Sequence, residues 1–228
     1  MSHTRDLSGS RPAEGGRGTR QEQKERTRRA LLAAALRRLE EQSLSSLSVR
    51  EVTRAVGIAP AAFYRHFRDM SDLGVALVEE ALGGLHTVVR RILTELDDST
   101  ARIDRAVELI AGHVRAHPAH IRFLARERHG GVRAVRQAIA AELDRFADEV
   151  AGALGGDAAR AQWSPEELRM LAELYVDHMV MTASALLVAA EGEGRDEAGT
   201  ARAARRQLRL ISLGSEHYRP EGGASGGA

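Results

Sequence analysis

The sequence contains no cysteine, no asparagine and a single lysine, Lys24. The absence of cysteine excludes disulfide bonds, thiolate catalysis and cysteine-ligated metal sites, and it agrees with a cytoplasmic location. Arginine supplies nearly all the positive charge, as is typical of a GC-rich genome, so its abundance alone does not indicate nucleic-acid binding. The formal net charge of +1 likewise identifies no class of partner.

Long apolar segments and enzyme motifs are also lacking. No run approaches the ~20 apolar residues that cross a bilayer, and the N-terminus has no apolar signal core, so we expect no membrane association. No G-x-S-x-G elbow, Gly-rich phosphate loop or paired-carboxylate pattern appears, which argues against an enzyme. Aromatic residues make up only 4% of the chain, so flat aromatic ligands would find few stacking partners.

Helical periodicity runs through almost the whole chain, and no segment shows the convincing alternation of a β-strand. The sequence therefore predicts an all-α protein of about nine helices, one of them a long helix over 71–96. The predicted divisions are a disordered basic arm over 1–20, a three-helix head over 21–70, a helical body over 71–216 and a disordered tail over 217–228. The arm is basic, since the first 29 residues hold seven Arg and one Lys against four acids.

The most informative stretch is 44–67, which predicts two short helices around a glycine. Ser48 and Glu51 have the spacing of a capping box, in which each side chain binds the other's backbone N–H, and Ser164 and Glu167 have the same spacing. Gly57 can adopt the left-handed conformation that ends a helix, and Pro60 suits the first turn of the next one. This is the layout of a helix-turn-helix that reads DNA.

The second of these helices has two different faces. Phe63 and Phe67, four residues apart, are predicted to be buried in the core. Polar and cationic side chains project elsewhere: Tyr64, Arg65, His66 and Arg68. The outer face is therefore suited to an anionic partner.

A head with F-Y-x-H-F in its third helix, followed by a long helical body, resembles the TetR family of one-component transcriptional regulators over roughly 21–215. The segments GIAPAAFYRHFRDMSDLG and RERHGGVRAVRQAIAAELDRF resemble, more narrowly, the FabR/DesT branch of acyl-CoA-sensing repressors of fatty-acid synthesis or desaturation genes. Met70 stands where many TetR heads carry a lysine, which agrees with that branch. The resemblance implies a homodimeric repressor on a near-palindromic DNA operator, with a small apolar effector and no cofactor.

By this resemblance, Tyr64 and His66 contact the DNA backbone. Arg50 and Arg65 are the best candidates for guanine readout, because arginine can pair bidentately with guanine. For each arginine the alternative is a solvated surface charge. The predicted DNA-contacting residues are Ser48, Arg50, Thr53, Pro60, Ala61, Tyr64, Arg65, His66, Arg68, Lys24 and Arg28.

The last two helices, predicted over 165–190 and 197–214, resemble the pair that forms a four-helix dimer interface in this family. One apolar stripe on them is the predicted interface: Leu168, Leu171, Tyr175, Thr182, Leu186, Leu208 and Ile211. Ordinary core packing is the alternative for this stripe.

The middle helices offer mostly aliphatic residues, which suit an acyl chain, and a long-chain acyl-CoA is the predicted effector. The predicted ligand-binding residues are Leu85, Val89, Ile110, Val114, Phe123, Leu124, Arg126, Ile139, Leu143 and Met179. Arginines near the RERHGG segment could meet an anionic headgroup, or could form surface ion pairs with Glu127. Another hydrophobic effector, controlling an efflux or catabolic gene, is the alternative.

The sequence gives weaker support to two other classes of function. Four histidines lie close in sequence and could bind a transition metal: His113, His117, His120 and His129. Pro118 breaks the helix just after His117, and no cysteine supports such a site. A helical adaptor that does not bind DNA would leave the cationic face of the head unexplained.

Overall fold

A computed structural model describes residues 15–96, 98–157, 160–192 and 194–218, with side chains from Arg20 onward. The predicted disorder of the arm and tail falls largely outside these residues. Where the two overlap, residues 15–20 of the predicted arm and His217 of the predicted tail are helical. The first helix therefore begins inside the segment that was predicted to be disordered.

The described residues are all-helical, which confirms the predicted fold class. The helices are α1 (Gly15–Arg38), α2 (Val49–Val56), α3 (Pro60–Phe63), α4 (Met70–Leu82), α5 (Leu85–Glu95), α6 (Ser99–Ala116), α7 (Pro118–Glu127), α8 (Arg133–Gly155), α9 (Pro165–Ala190) and α10 (Glu197–His217). The long helix predicted over 71–96 is two helices, because the two helix-disfavouring glycines Gly83 and Gly84 interrupt it. If α4 and α5 are counted as one helix, the described residues contain nine helices.

Local signals fix several helix ends. In α2 the hydroxyl of Ser48 accepts from the Glu51 N–H at 3.3 Å, and the Glu51 carboxylate accepts from the Ser48 N–H at 2.8 Å. Ser164 and Glu167 form the same reciprocal cap at the start of α9. Gly57 ends α2 at φ 75°, the left-handed region that favours glycine. Both predicted capping boxes are confirmed.

The head and the body share one hydrophobic core. Val52, Phe63 and Phe67 are buried between α1, α2 and α3, as predicted for the two phenylalanines. The same cluster continues through Leu77 of α4 and Phe123 of α7 into the body. Direct packing therefore connects α4 and α7 to the head.

In the body, α8 packs along α9, and α6 and α10 also pack on α9. The helix α5 is fastened to α8 by His86, whose Nε2 lies 2.8 Å from Glu142 Oε2 and whose Nδ1 lies 3.2 Å from Glu149 Oε1. The His86 ring also stacks on Phe146, with centroids 3.8 Å apart. These contacts hold α5 as one wall of the space between the middle helices.

Candidate DNA-binding surface and ligand cavity

The helix-turn-helix exposes most of the residues predicted to contact DNA. Exposed side chains on it are Ser48, Arg50, Pro60, Ala61, Tyr64, Arg65 and Arg68. The Tyr64 side chain is 62% exposed, although its ring edge also contacts Phe63. An aromatic ring left so exposed beside a core phenylalanine is available to an external partner.

Thr53 is an exception among the predicted DNA contacts. It is only 1% exposed, and its hydroxyl donates to the Val49 carbonyl within α2 at 2.8 Å. A buried hydroxyl that is satisfied inside its own helix cannot reach a base edge. The prediction of a base contact by Thr53 is therefore wrong.

His66 lies beside the basic end of α1. Burial and the nearby charges of Lys24 and Arg28 lower the pKa of His66 below its usual value. Its Nδ1 is buried without a hydrogen-bond partner among the described residues, which leaves Nε2 for an external contact. A neutral imidazole can still donate an N–H to a phosphate, so the charge near this point comes from the neighbouring cations.

Two other predicted contacts also have structural partners. The Arg28 guanidinium lies 4.8 Å from the centroid of the Phe67 ring, a cation–π distance that fixes α1 on the head core. Arg68 Nη2 pairs with Asp72 Oδ1 at 3.1 Å, and this partner holds the pKa of the Asp72 carboxyl below its usual value. Lys24 is exposed on α1.

The body contains a partly open cavity of ≈ 490 Å³ between α4, α5, α6, α7, α8, α9 and α10. Eight of the ten predicted ligand-binding residues line it: Leu85, Val89, Ile110, Val114, Leu124, Ile139, Leu143 and Met179. Phe123 does not, because it is fully packed in the core shared by head and body. The cavity walls are mostly aliphatic, as the composition predicted.

Arg126 was predicted to bind the ligand, and the structure places it elsewhere. Its guanidinium turns to the loop between α1 and α2, where Nη1 donates to the carbonyls of Leu39 and Gln42 at 2.8 Å each. Nη2 donates to the Glu40 carbonyl at 3.2 Å. Arg126 therefore satisfies carbonyl groups left free at the end of α1, and the ligand role predicted for it is corrected.

The neighbouring arginines form ion pairs, although not with Glu127. Arg122 pairs with Glu191, and Arg128 Nη2 lies 3.0 Å from Asp177 Oδ1. Glu127 is instead buried, with its carboxylate turned to the α1–α2 loop. Of these arginines, Arg128 lines the cavity together with His129.

Polar residues that no sequence pattern indicated as ligand-binding also line the cavity. These lining residues are Arg102, Asp157, Arg160, Tyr175 and Ser212. They come from four separate parts of the chain, so no local spacing joins them. Arg160 is the most buried of the charged ones, at 4% exposure.

Comparison with known proteins agrees with this geometry. Residues 31–77, which hold the helix-turn-helix, match the family model described as bacterial regulatory proteins, tetR family. The head is a TetR-type DNA-binding domain. The match covers the head only, and the all-helical body follows it in the chain.

Solved structures share this fold over most of the chain. The fatty acid degradation regulator FadR from Bacillus halodurans is similar, with a TM-score of 0.66 and 16% identity over 84% of this chain and 97% of that one. FadR from Bacillus subtilis in complex with stearoyl-CoA has a TM-score of 0.65 and 13% identity over 80% and 96% of the two chains. A TetR family regulator from Agrobacterium tumefaciens has a TM-score of 0.62 and 19% identity over 82% and 98%.

Most of the residues predicted for a dimer interface are buried within the chain. These are Leu171, Thr182, Leu186 and Leu208, and for them the prediction that they face a partner is wrong. The other three predicted residues are partly buried against their own chain: Leu168, Tyr175 and Ile211. For these three the interface role stays a prediction.

Another apolar face of the same helices is exposed. We call it the α9–α10 face, and its large residues are Met170, Leu174, Met181, Val188, Leu210 and Leu213. Met181 is 61% exposed and Leu210 is 71% exposed. Among the described residues, α9 alone is long and apolar enough to cross a membrane, and only 28% of its most apolar window is buried.

In the part of the chain that the structure describes, the clustered histidines are not arranged as metal ligands. The ring centroids of His113 and His117 are 4.9 Å apart, and those of His117 and His120 are 5.7 Å apart. No group of three His, Asp or Glu side chains among the described residues could hold a metal ion. His129 instead lines the cavity, as does His113.

Proposed function

We propose that the chain is a homodimeric repressor that binds a near-palindromic operator and responds to a long-chain acyl-CoA, acting on genes of fatty-acid metabolism. The observation that carries this proposal is an aliphatic cavity whose wall includes α7, the helix that also holds the α1–α2 loop of the head. A ligand in that cavity would touch the element that positions the DNA-binding helices.

The head supplies the chemistry for DNA. Arg50 and Arg65 are exposed on the helix-turn-helix and suit guanine edges, while Tyr64 and His66 suit phosphates. Ser48 presents a helix N-terminus, whose free N–H groups attract phosphate. Phosphate contacts would set the register on the operator, and the arginines would supply most of the sequence preference.

The α9–α10 face supports the dimer. A helix-turn-helix protein commonly reads two half-sites one helical turn apart, about 34 Å, and needs two heads for this. Six large apolar side chains exposed on two adjacent helices form a surface that water would not favour. A second copy packed symmetrically on this face would bury both helices in a four-helix interface.

The cavity supports an acyl effector. Its volume of ≈ 490 Å³ is within the usual range for small-molecule sites, about 300–1,000 Å³. Its walls are aliphatic, and aromatic residues form only 4% of the sequence. One structurally similar protein is named as a fatty acid degradation regulator, and another was solved in complex with stearoyl-CoA. Both names are consistent with the proposal.

Control would act through the balance of two conformations. The ligand must favour one arrangement of α7 over another, because equal affinity for both would shift nothing. Since Arg126 and Glu127 of α7 hold the α1–α2 loop, a shift of α7 would change the position of the head. In the dimer this changes the separation of the two recognition helices.

The test is fluorescence anisotropy of the purified protein on the DNA flanking its own gene, with palmitoyl-CoA, oleoyl-CoA or free CoA. The proposal predicts nanomolar binding that the acyl-CoAs change and free CoA does not. Arg65→Ala should weaken binding, whereas Arg105→Ala, an exposed position on α6, should not.

Two results would contradict the proposal in different ways. Tight DNA binding that no acyl-CoA alters would leave the repressor and remove the lipid effector, which would favour another hydrophobic ligand. Only weak, salt-sensitive binding to this DNA and to operator fragments selected from the genome would remove the repressor itself.

A further inference from the structure

Polar side chains near the α8–α9 connection line a cavity whose walls are mostly aliphatic. Arg160 lies in the connection itself, and Tyr175 of α9 and Ser212 of α10 lie near it. All three line the cavity, and Arg160 and Ser212 are almost fully buried. Polar groups buried in an apolar chamber need hydrogen-bond partners, since burying them without partners is costly.

Arg160 is only partly satisfied by the protein. Its Nη1 pairs with Asp157 Oδ2 at 2.6 Å, and its Nη2 donates to Ser215 Oγ at 2.8 Å. Its Nε is buried and has no acceptor among the described residues. The first two contacts hold Arg160 within the α8–α9 connection and against α10. The Nε–H contributes to neither contact.

Tyr175 provides a second polar group at the same end. Burial raises the pKa of the Tyr175 phenol, and the Ser212 side chain lies near that phenol. The phenol is therefore a neutral hydroxyl beside a guanidinium. This pair can donate hydrogen bonds to one ligand oxygen.

The charge of the lining favours an electron-rich group. Among the described lining residues, the guanidinium groups of Arg102, Arg128 and Arg160 accompany a single carboxylate, that of Asp157. A ligand that ends in a methyl group would exclude water from the Arg160 Nε–H without offering it an acceptor. A ligand oxygen would satisfy it.

We propose that Arg160, Tyr175 and Ser212 form a distal subsite, which binds an oxygen at the buried end of an aliphatic ligand. This inference rests on the proposed function, because it takes the cavity as the effector site. Two ligands carry the required chemistry: a free long-chain acid that enters carboxylate first, and an acyl-CoA whose chain ends in a hydroxyl.

The chain contains its own reporter for the test. Trp163 is its single tryptophan, and the Trp163 backbone N–H donates to the Arg160 carbonyl at 3.0 Å. Tryptophan fluorescence of the full chain would be titrated with hexadecanoate, methyl hexadecanoate, hexadecanoyl-CoA and 16-hydroxyhexadecanoyl-CoA. The methyl ester is the matched ligand for the acid, because it keeps a carbonyl acceptor but lacks the negative charge that strengthens a hydrogen bond from a guanidinium. The plain thioester is the matched ligand for the hydroxyacyl-CoA, because its chain ends in a methyl group.

For the wild type we expect at least one oxygen-ended ligand to bind roughly tenfold or more tightly than its matched ligand, because a site built around a hydrogen bond rejects analogues that lack it. Preference for the acid identifies carboxylate-first entry, and preference for the hydroxyacyl-CoA identifies the other source. Arg160→Gln should reduce that ratio to about one, and Arg105→Gln should leave it unchanged. Tyr175→Phe, which removes one hydroxyl, should reduce the ratio even if Arg160→Gln does not fold.

Three outcomes would overturn the inference. Equal binding of the matched ligands by the wild type would contradict the subsite and leave the acyl effector standing. A ratio unchanged in Arg160→Gln and Tyr175→Phe would assign these residues to structure alone. If no C16 ligand binds, the effector part of the proposed function fails as well, and operator binding reports separately on the repressor.

Discussion

The carboxylate of Glu127, at the end of α7, accepts a hydrogen bond from the Leu44 N–H at 2.9 Å, across 83 residues of sequence. The adjacent residue, Arg126, donates to three carbonyls of the same loop. The end of α7 therefore supplies both an acceptor and donors to the α1–α2 loop. Gly130 is required beside it, since a Cβ at that position would collide with the Glu127 carboxylate.

The first prediction concerns this contact. Glu127→Ala should lower the free energy of unfolding by about 1–3 kcal/mol, because the buried Leu44 N–H loses its acceptor. Urea denaturation, monitored by circular dichroism, measures this free energy. The exposed carboxylate of Glu108 is the control, and Glu108→Ala should change stability by less than about 0.5 kcal/mol. Equal effects of the two substitutions would show that the Glu127 contact contributes little.

A second prediction separates the DNA-facing residues from their buried neighbour. Arg65→Ala should cost about 1–3 kcal/mol of operator binding and relax sequence preference, whereas Thr53→Val should leave affinity nearly unchanged in folded protein. Anisotropy titrations on the operator and on scrambled DNA compare them. A large loss from Thr53→Val without a loss of stability would mean that Thr53 does reach the DNA.

A third prediction concerns salt. A dimer that makes six or more phosphate contacts should lose ~10³-fold or more in affinity between 50 and 200 mM salt, because binding releases counterions. The slope of log affinity against log salt measures this directly. Lys24→Ala should reduce the magnitude of this slope by about one for each phosphate contact that the Lys24 ammonium makes. An unchanged slope would show that Lys24 does not bind phosphate.

The α9–α10 face gives a fourth prediction. Replacing Met181 and Leu210 together with Glu should produce monomers and weaken operator binding, because like charges would meet across a symmetric interface. Sedimentation velocity determines the oligomeric state. Arg105→Glu adds an acid on α6 and should leave the dimer intact. Wild-type monomers at micromolar concentration, or preferential binding of the face to lipid vesicles, would contradict a dimer role.

Stability should also depend on pH. Burial and neighbouring His117 lower the pKa of His113, and burial lowers that of His120, below the usual value of 6.5. The unfolded chain therefore binds protons more readily at these sites, so stability should fall as the pH drops below about 6.5. Thermal melts between pH 7.5 and 5.5 test this. The double variant His113→Gln, His120→Gln should show a smaller decrease, and an identical decrease would assign the effect to other groups.

Features encoded within a few residues could be predicted from the sequence. The capping boxes at Ser48 and Ser164, the turn at Gly57 and the buried Phe63 and Phe67 all depend on local spacing, and the structure has them as expected. The aliphatic character of the cavity also follows from composition.

Features that depend on distant partners could not be predicted from the sequence. Arg126 and Glu127 bind a loop more than 80 residues away in the chain, so their local charge pattern suggested a ligand or a surface ion pair. In α9 both faces are apolar, so periodicity identified a stripe without indicating which face turns inward. Arg160 meets Ser215 only through the packing of α10, which no spacing reveals.

Coupling between the cavity and the operator is central to the proposed function, and thermodynamic reciprocity tests it most directly. Operator affinity would be measured with and without saturating palmitoyl-CoA, and palmitoyl-CoA affinity with and without saturating operator. We predict that both ratios differ from one and are equal, because coupling between two sites is reciprocal. Tight binding of palmitoyl-CoA with both ratios equal to one would contradict this coupling, since the cavity would then bind a ligand without controlling the head.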